Sequence, residues 1–222
     1  MKHPLILFPY SPHYVRIEKS INHLHEIWKK LNVRLMTKCC TGPTDYEDTV
    51  KALWNDPGDL IIWEHDMYPS LKMVQRLISC EQEICCQQCH IRPTPEEEYP
   101  YAHRVREFHA FNDTAGYTTE RWATAFDTFC DLWGLGLTKL SKTARMCMRP
   151  THWQPGQWFN LDGRISHAYY LKGLRAHIHY PPCQHDHTDA KIRGLGEKLT
   201  LPPKHWGNFE KIVDKRTGKV VK

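Results

Sequence analysis

The chain has 222 residues, of which 41% are hydrophobic and 25% are charged, the balance of an ordinary globular protein rather than a disordered or fibrous one. Its formal charge of +5 comes largely from the C-terminal tail. No stripe of aromatic and arginine residues accompanies that charge, so a nucleic-acid partner is not expected. No apolar run is long enough to span a membrane and no signal peptide is visible, so the expected location is cytoplasmic.

Strand and helix patterns alternate three times within the first eighty residues. Apolar runs at Leu5–Phe8, Val33–Thr37 and Asp59–Glu64 have the length of buried strands, and Pro9 stops the first of them. Between them, apolar residues at helical spacing over 17–31 and a Thr44-x-x-Glu47 capping box predict helices. Such βαβ units predict a doubly wound, mostly parallel sheet. Ligands of such sheets bind at the carboxyl ends of the strands.

The rest of the chain carries weaker signals, because its periodic segments are short and a polar, Pro-rich stretch separates them. Turn residues and caps still mark where elements begin and end. The predicted elements are a helix capped by Ser70, a strand at Ile84–Cys89, a long loop over 90–111, a strand at Gly134–Thr138, a helix capped by Ser141, a helix at Leu161–Leu171 and a strand at Arg175–His179, followed by a His- and Pro-rich loop.

Acidic residues stand where the third apolar strand ends. Glu64 and Asp66 are two positions apart and precede a Met-Tyr-Pro turn, and two such carboxylates can reach one divalent cation when the turn redirects them. The alternative is a pair of exposed loop carboxylates. Asp162, at the start of the late helix, is either a general base or a carboxylate that stabilises the first helical turn.

Histidines and cysteines form two further clusters. His177 and His179 alternate on one predicted strand face, and His185 and His187 follow in the loop, which favours a metal or phosphate role. Cys80, Cys85, Cys86, Cys89 and His90 include a CxxC pattern that could bind zinc, but the chain has no second CxxC, so buried packing is the alternative.

Taken in order, these segments resemble the GT-A glycosyltransferases, most closely their compact family-2-like members. The resemblance lies in the order and spacing of parts rather than in one motif. The matching parts are Leu7-Phe8-Pro9-Tyr10, the helix over 46–54, the strand and acidic motif over 59–69, the Gly-rich segment 134–141, Leu161-Asp162-Gly163-Arg164-Ile165 and the segment 172–177.

The resemblance implies an α/β, GT-A-like (Rossmann-like) single domain over residues 1–187, with a mostly parallel sheet flanked by helices. Residues 90–133 would be an insertion on the acceptor side, and 188–222 a polar, basic tail. The implied activity is a Mn²⁺- or Mg²⁺-dependent, inverting transfer of a sugar from a nucleotide-sugar donor to a glycan or another hydroxyl acceptor.

The resemblance also implies residue roles. Asp66 would bind the metal, Glu64 would contact the metal or the donor ribose, and His185 or His187 would complete the metal shell. Asp162 would deprotonate the acceptor. The remaining implied positions are Pro9, Tyr10 and Asp45 for the nucleoside, and Trp153 and Trp158 as surfaces that stack on sugar.

Two other interpretations stay open. A metal-dependent hydrolase or nuclease would use His177, His179, His185 and His187 as one cluster, which leaves the acidic motif unexplained. A non-catalytic module would bind a nucleotide or zinc without turnover.

Overall fold

The structure, a computed structural model, describes residues 3–89, 104–108, 117–122, 127–130, 133–153, 161–186 and 211–214. Its helices are α1 (Ile17–Trp28), α2 (Pro43–Ala52), α3 (Leu71–Ser79), α4 (Lys142–Cys147) and α5 (Leu161–Leu171). Its strands are β1 (Leu5–Tyr10), β2 (Arg34–Cys39), β3 (Leu60–Trp63), β4 (Met67–Tyr68), β5 (Ile84–Cys89), β6 (Arg104–Phe108), β7 (Tyr117–Trp122), β8 (Thr128–Cys130), β9 (Leu137–Leu140), β10 (Ala176–His185) and β11 (Lys211–Asp214).

The central sheet has the strand order β2-β1-β3-β9-β5-β10-β4, and β8 pairs with β10. Strand β1 is parallel to β2 and β3, and β10 is parallel to β5. Strand β9 lies between β3 and β5 and is antiparallel to both. The predicted α/β fold with a mostly parallel sheet is therefore confirmed, and its arrangement is consistent with a GT-A-like fold.

Both faces of the sheet are buried, because alternate residues of each strand point to opposite sides. On β1, Leu5 and Leu7 join a core cluster with residues of α2, α4 and α5. Ile6 and Phe8 join a second cluster with residues of α1 and α3. The helices thus cover the sheet on two sides, as the continuous apolar character of β3 predicted.

The local predictions for the first two βα units need two corrections. Strand β1 does not stop before Pro9 but continues to Tyr10, since β3 pairs with β1 only as far as Leu7 and a proline is tolerated where one side of a strand is unpaired. The Thr44-x-x-Glu47 capping box is wrong as well. Helix α2 begins at Pro43 after Gly42, without a side-chain cap, because proline suits the first helical position.

Strands also occur where none was predicted. Residues 104–108, expected within a long loop, form β6, which pairs with β7 in a second, three-stranded sheet. The third strand, β11, lies inside the predicted tail. Strand β10 continues beyond His179 to His185, so His185 lies on a strand and not in a loop. These pairings join residues far apart in sequence, which local patterns do not reveal.

The two predicted serine caps are confirmed. Ser70 Oγ accepts a hydrogen bond from the Met73 backbone N–H at 3.3 Å, and Ser141 Oγ accepts one from the Ala144 N–H at 2.9 Å. Each cap fixes where its helix leaves the sheet. Across the described ranges, no helix is both long enough and apolar enough to cross a membrane.

A buried arginine fixes the loop between α2 and β3. The guanidinium of Arg145 on α4 donates to the backbone carbonyls of Leu53 at 3.1 Å, Trp54 at 2.6 Å and Asp56 at 3.1 Å, and also to that of Gly58. Because these oxygens would otherwise be buried without partners, the contacts satisfy the loop backbone. They also position the start of β3, whose other end carries the acidic motif.

Candidate active site

The acidic motif lies directly after β3, in a tight turn. The backbone N–H of Glu64 donates to the Gly136 carbonyl at 2.7 Å, and the Met67 N–H donates to the Glu64 carbonyl at 3.1 Å. Strand β4 then pairs with the end of β10, with Met67 opposite His185. The turn therefore brings the motif beside β10 at the carboxyl end of β3, where parallel sheets bind ligands.

Glu64 is half-buried next to other acidic groups. Its Oε1 accepts a hydrogen bond from the Tyr46 hydroxyl at 2.8 Å. Burial raises the pKa of Glu64 to about 7, and the negative charges of Asp66 and Asp162 add to the rise, although Tyr46 and His185 oppose it. The carboxyl is thus close to half-protonated at neutral pH, and a bound cation would favour its ionised form.

Asp66 has one satisfied oxygen and one unsatisfied oxygen. Its Oδ2 lies 3.1 Å from His185 Nε2, whereas Oδ1 is buried and has no hydrogen-bond partner among the residues that the structure describes. Burial alone would raise the pKa of Asp66, but the hydrogen bond and positive charge of His185 outweigh it, and the pKa is lowered. Asp66 is therefore an ionised carboxylate with a buried oxygen available to a ligand.

Asp162 lies in the first turn of α5. Its Oδ1 accepts a hydrogen bond from the Gly163 N–H at 2.9 Å, as expected of a carboxylate that stabilises a helix start. Its charge also raises the pKa of both Glu64 and Tyr46, so it lies close to the acidic motif. A Cβ placed on Gly134 would come 3.6 Å from Asp162 Oδ2, and the missing side chain leaves space beside that oxygen.

The donor set suits a hard divalent cation. Glu64 and Asp66 offer carboxylate oxygens, which suit Mn²⁺ or Mg²⁺, and His185 offers an imidazole nitrogen. The unsatisfied Asp66 Oδ1 and the repulsion that raises the pKa of Glu64 are both relieved by a positive charge. The types of side chain present therefore suit the expected metal, and its binding by these three residues stays a prediction.

A second set of contacts holds this site together, and the sequence did not reveal it. The backbone N–H of Asp186 donates to the Asp66 carbonyl at 2.8 Å. Asp186 Oδ2 accepts hydrogen bonds from the Tyr14 hydroxyl and from Arg16, both at 2.9 Å. The start of α1 is thus tied to the end of β10. Tyr46 was also missed as a site residue, because one tyrosine among ten gives no signal until α2 packs against β3.

The predicted nucleoside-binding residues lie at the end of β1 and the start of α2. Pro9 is buried and Tyr10 is half-buried. Asp45 Oδ2 accepts a hydrogen bond from the Thr41 N–H at 3.0 Å, and Asp45 forms an ion pair with Lys38 at 3.4 Å. Asp45 thus has a local structural role, and its part in nucleoside binding stays a prediction.

Other predicted residues lie elsewhere or outside the described ranges. Trp153 is 3% exposed and packs edge-on against Trp54, with ring centroids 4.5 Å apart, so its prediction as a sugar-stacking surface is wrong. His187 and Trp158 lie outside the described residues, and so does His90.

Three of the four histidines predicted to form one cluster are described, and they divide between two places. His185 contacts Asp66, whereas His177 and His179 lie beside Cys80. The predicted cysteine cluster divides too, because alternation turns Cys85 and Cys86, neighbours on β5, to opposite faces. Cys85 and Cys86 accordingly belong to different core clusters.

No protein-family model matches this sequence, and no curated protein does. Among solved structures, A197 from STIV is 13% identical, with a TM-score of 0.47, over 84% of this chain and 96% of that chain. A glycosyltransferase involved in the glycosylation of the major capsid of PBCV-1 is 11% identical, with a TM-score of 0.43, over 80% of this chain and 83% of that chain. Similarity at this level says nothing about activity, substrate or metal.

Proposed function

We propose that this chain is a divalent-metal-dependent glycosyltransferase that moves a sugar from a nucleotide-sugar donor to a hydroxyl acceptor with inversion. The observation that carries the proposal is the pairing of a buried, unsatisfied Asp66 Oδ1 with a Glu64 carboxyl whose pKa is raised to about 7. Such a site has an excess of negative charge that a cation neutralises, and it lies at the ligand-binding edge of the sheet.

Glu64, Asp66 and His185 would hold Mn²⁺ or Mg²⁺. When bound, the cation neutralises charge on the donor diphosphate and on the leaving nucleoside diphosphate. Tyr46 would keep the Glu64 carboxylate in place through its 2.8 Å hydrogen bond. The 3.1 Å contact between His185 Nε2 and Asp66 Oδ2 keeps these two proposed ligands next to each other.

Asp162 would be the general base. Its Oδ1 accepts a hydrogen bond from the Gly163 N–H, and its Oδ2, beside Gly134, would take the acceptor proton. The acceptor oxygen forms a bond to the anomeric carbon as the bond from that carbon to the phosphate oxygen breaks. The electron pair of the broken bond leaves with the nucleoside diphosphate, and the proton stays on Asp162. Because the acceptor displaces the leaving group directly, the configuration at the anomeric carbon inverts.

The first test measures ligand binding, which needs no knowledge of the acceptor. The purified protein is heated with a panel of nucleoside diphosphates and their sugar esters, with and without Mn²⁺. A ligand at a hundred times its Kd stabilises by about 2.7 kcal/mol, which raises Tm by roughly 5–10 °C for a chain of this size. The expected result is stabilisation by one class of nucleotide, only with Mn²⁺ present.

Two variants distinguish the site from a general metal effect. Asp66→Asn should lose the Mn²⁺-dependent shift, while Asp48→Asn, which removes an exposed carboxylate from α2, should keep it. Donor turnover then tests the base: Asp162→Asn should lower kcat by roughly 10²–10⁴-fold while nucleotide binding persists. If no nucleotide shifts Tm, or if Asp66→Asn binds as the native protein does, the proposal fails. Phosphodiester hydrolysis lost in His179→Ala would favour the hydrolase.

A further inference from the structure

A second cluster of metal-binding side chains lies apart from the acidic site. Cys80, directly after α3, meets His177 and His179 of β10, and one ligand atom from each lies within 4.8 Å of the others. Cys80 Sγ is 3.7 Å from His177 Nδ1. With metal bonds of about 2.3 Å to sulfur and 2.0–2.1 Å to nitrogen, ligand atoms of a tetrahedral zinc site are roughly 3.3–3.6 Å apart, so the cluster needs only a small contraction.

The buried ring of His179 lies against His177 and Asp127 but leaves its hydrogen-bonding capacity unused within the described residues. The side chain is 4% exposed, and neither ring nitrogen has a hydrogen-bond partner in the part of the chain that the structure describes. A buried polar ring without partners is costly. A metal ligated through one nitrogen, with a carboxylate near the other, removes that cost.

Asp127 supplies such a carboxylate to both rings. Its Oδ2 is 3.5 Å from His179 Nδ1 and 3.8 Å from His177 Nε2. Asp127 is itself held, because its Oδ1 accepts a hydrogen bond from the Tyr180 N–H at 2.9 Å and its Oδ2 contacts the Arg76 guanidinium. Histidine ligands of zinc commonly donate their outer N–H to a carboxylate in this manner.

We propose that Cys80 Sγ, His177 Nδ1 and His179 Nε2 bind Zn²⁺, with Asp127 orienting both imidazole rings from outside the metal shell. One thiolate and two imidazoles are soft and borderline ligands that select zinc over Mg²⁺ or Mn²⁺. The Cys85 Sγ lies 2.7 Å from that of Cys80, and this thiol or water would supply a fourth ligand.

The proposed site is structural. His185 is six positions after His179 on β10, which is up to roughly 20 Å of extended chain. The cluster joins the end of α3 to the first half of β10, and Cys85 lies opposite His177 in the β5–β10 register. Zinc there would hold α3 against the sheet without taking part in sugar transfer. The zinc proposal therefore stands or falls independently of the proposed function.

The test measures zinc content and ligand type in the whole protein. The chain is purified without chelator, with a phosphine reductant to keep Cys80 and Cys85 as thiols, and metal is counted by plasma mass spectrometry. One Zn²⁺ per chain is expected. Replacement by Co²⁺ should give a thiolate-to-cobalt charge-transfer band in the near ultraviolet, which oxygen-only sites do not show.

Matched variants assign the ligands. Cys80→Ser and His179→Gln should bind Zn²⁺ at least tenfold more weakly and lose or shift the cobalt band. Cys147→Ser, at an exposed cysteine, and Asp66→Asn, in the acidic site, should keep both zinc and band. Because a variant can fail to fold, circular dichroism accompanies each one, and the native protein's cobalt spectrum stands alone as evidence. Reduced native protein that holds no zinc and shows no thiolate band overturns the proposal, and so does a band that persists in Cys80→Ser.

Discussion

Replacing Glu64 by glutamine should stabilise the protein when no divalent cation is added, although it removes a proposed metal ligand. Burial and two neighbouring carboxylates raise the pKa of Glu64 from its ordinary 4.5 to about 7. The folded state therefore binds the proton more tightly than the unfolded state does, and ionising Glu64 above pH 7 costs folding free energy. Glutamine has nearly the same shape, and its Oε1 still accepts the hydrogen bond from Tyr46.

The size of the effect follows from the pKa rise. At 1.36 kcal/mol per pKa unit, the rise from 4.5 to about 7 corresponds to about 3 kcal/mol. The cost in folding free energy of ionising Glu64 is absent below pH 4.5, grows as the pH rises, and is complete above pH 7. The stability that the protonated carboxyl supplies is thus lost as the pH rises through neutrality. The free energy of unfolding of Glu64→Gln should exceed that of the native protein by about 3 kcal/mol at pH 8 and by little at pH 4.5.

Urea unfolding at pH 4.5, 6, 7 and 8 measures the difference, in buffer dialysed free of Mg²⁺ and Mn²⁺. Other groups, such as the buried His179 whose pKa is lowered to about 4, also change the stability of both proteins. The difference between native protein and variant isolates Glu64. Added Mn²⁺ should reverse the order of stability of the two proteins at pH 8, because only the native protein is stabilised by binding the cation.

Asp45→Asn is the control with the opposite sign. The hydrogen bond from the Thr41 backbone N–H holds the pKa of Asp45 below its ordinary value, so removing its charge should lower stability at pH 8 rather than raise it. The reasoning about Glu64 is refuted if Glu64→Gln is less stable than native protein at pH 8 without metal, or if their difference does not change with pH.

Two further predictions concern the loop before β3. Arg145→Met should lower the free energy of unfolding by about 3 kcal/mol, because buried carbonyls lose their donor. Its control, Arg149→Met, lies at an exposed position and should change that free energy by less than about 0.5 kcal/mol. Urea unfolding measures both variants. Gly58→Ala should cost more than about 1 kcal/mol, since its Cβ would lie 2.5 Å from the His3 carbonyl. Gly42→Ala, whose Cβ meets nothing within 4 Å, should cost less than Gly58→Ala, because it loses only the preference for glycine over alanine at the N-cap of α2. Equal thermal stabilities of the two alanine variants would contradict this account.

Much of the fold could be predicted from local sequence. The apolar run that ends at Trp63, the caps at Ser70 and Ser141, and the helix over 161–171 are all present as predicted. Each depends on residues within a few positions of one another, where periodicity and backbone capping act. The ligand-binding edge of the sheet could also be anticipated, because it follows from strand and helix order alone.

The composition of each site was decided only by the tertiary structure. Asp66 and His185 are 119 residues apart in sequence, Tyr46 and Glu64 are 18 apart, and Cys80 reaches His177 across 97. Four histidines close in sequence suggested one cluster, yet β10 separates His185 from His177 and His179, because an extended strand carries residues about 3.3 Å further at each step. Residue type and local order determined which chemistry was available, and strand pairing determined which side chains share a site.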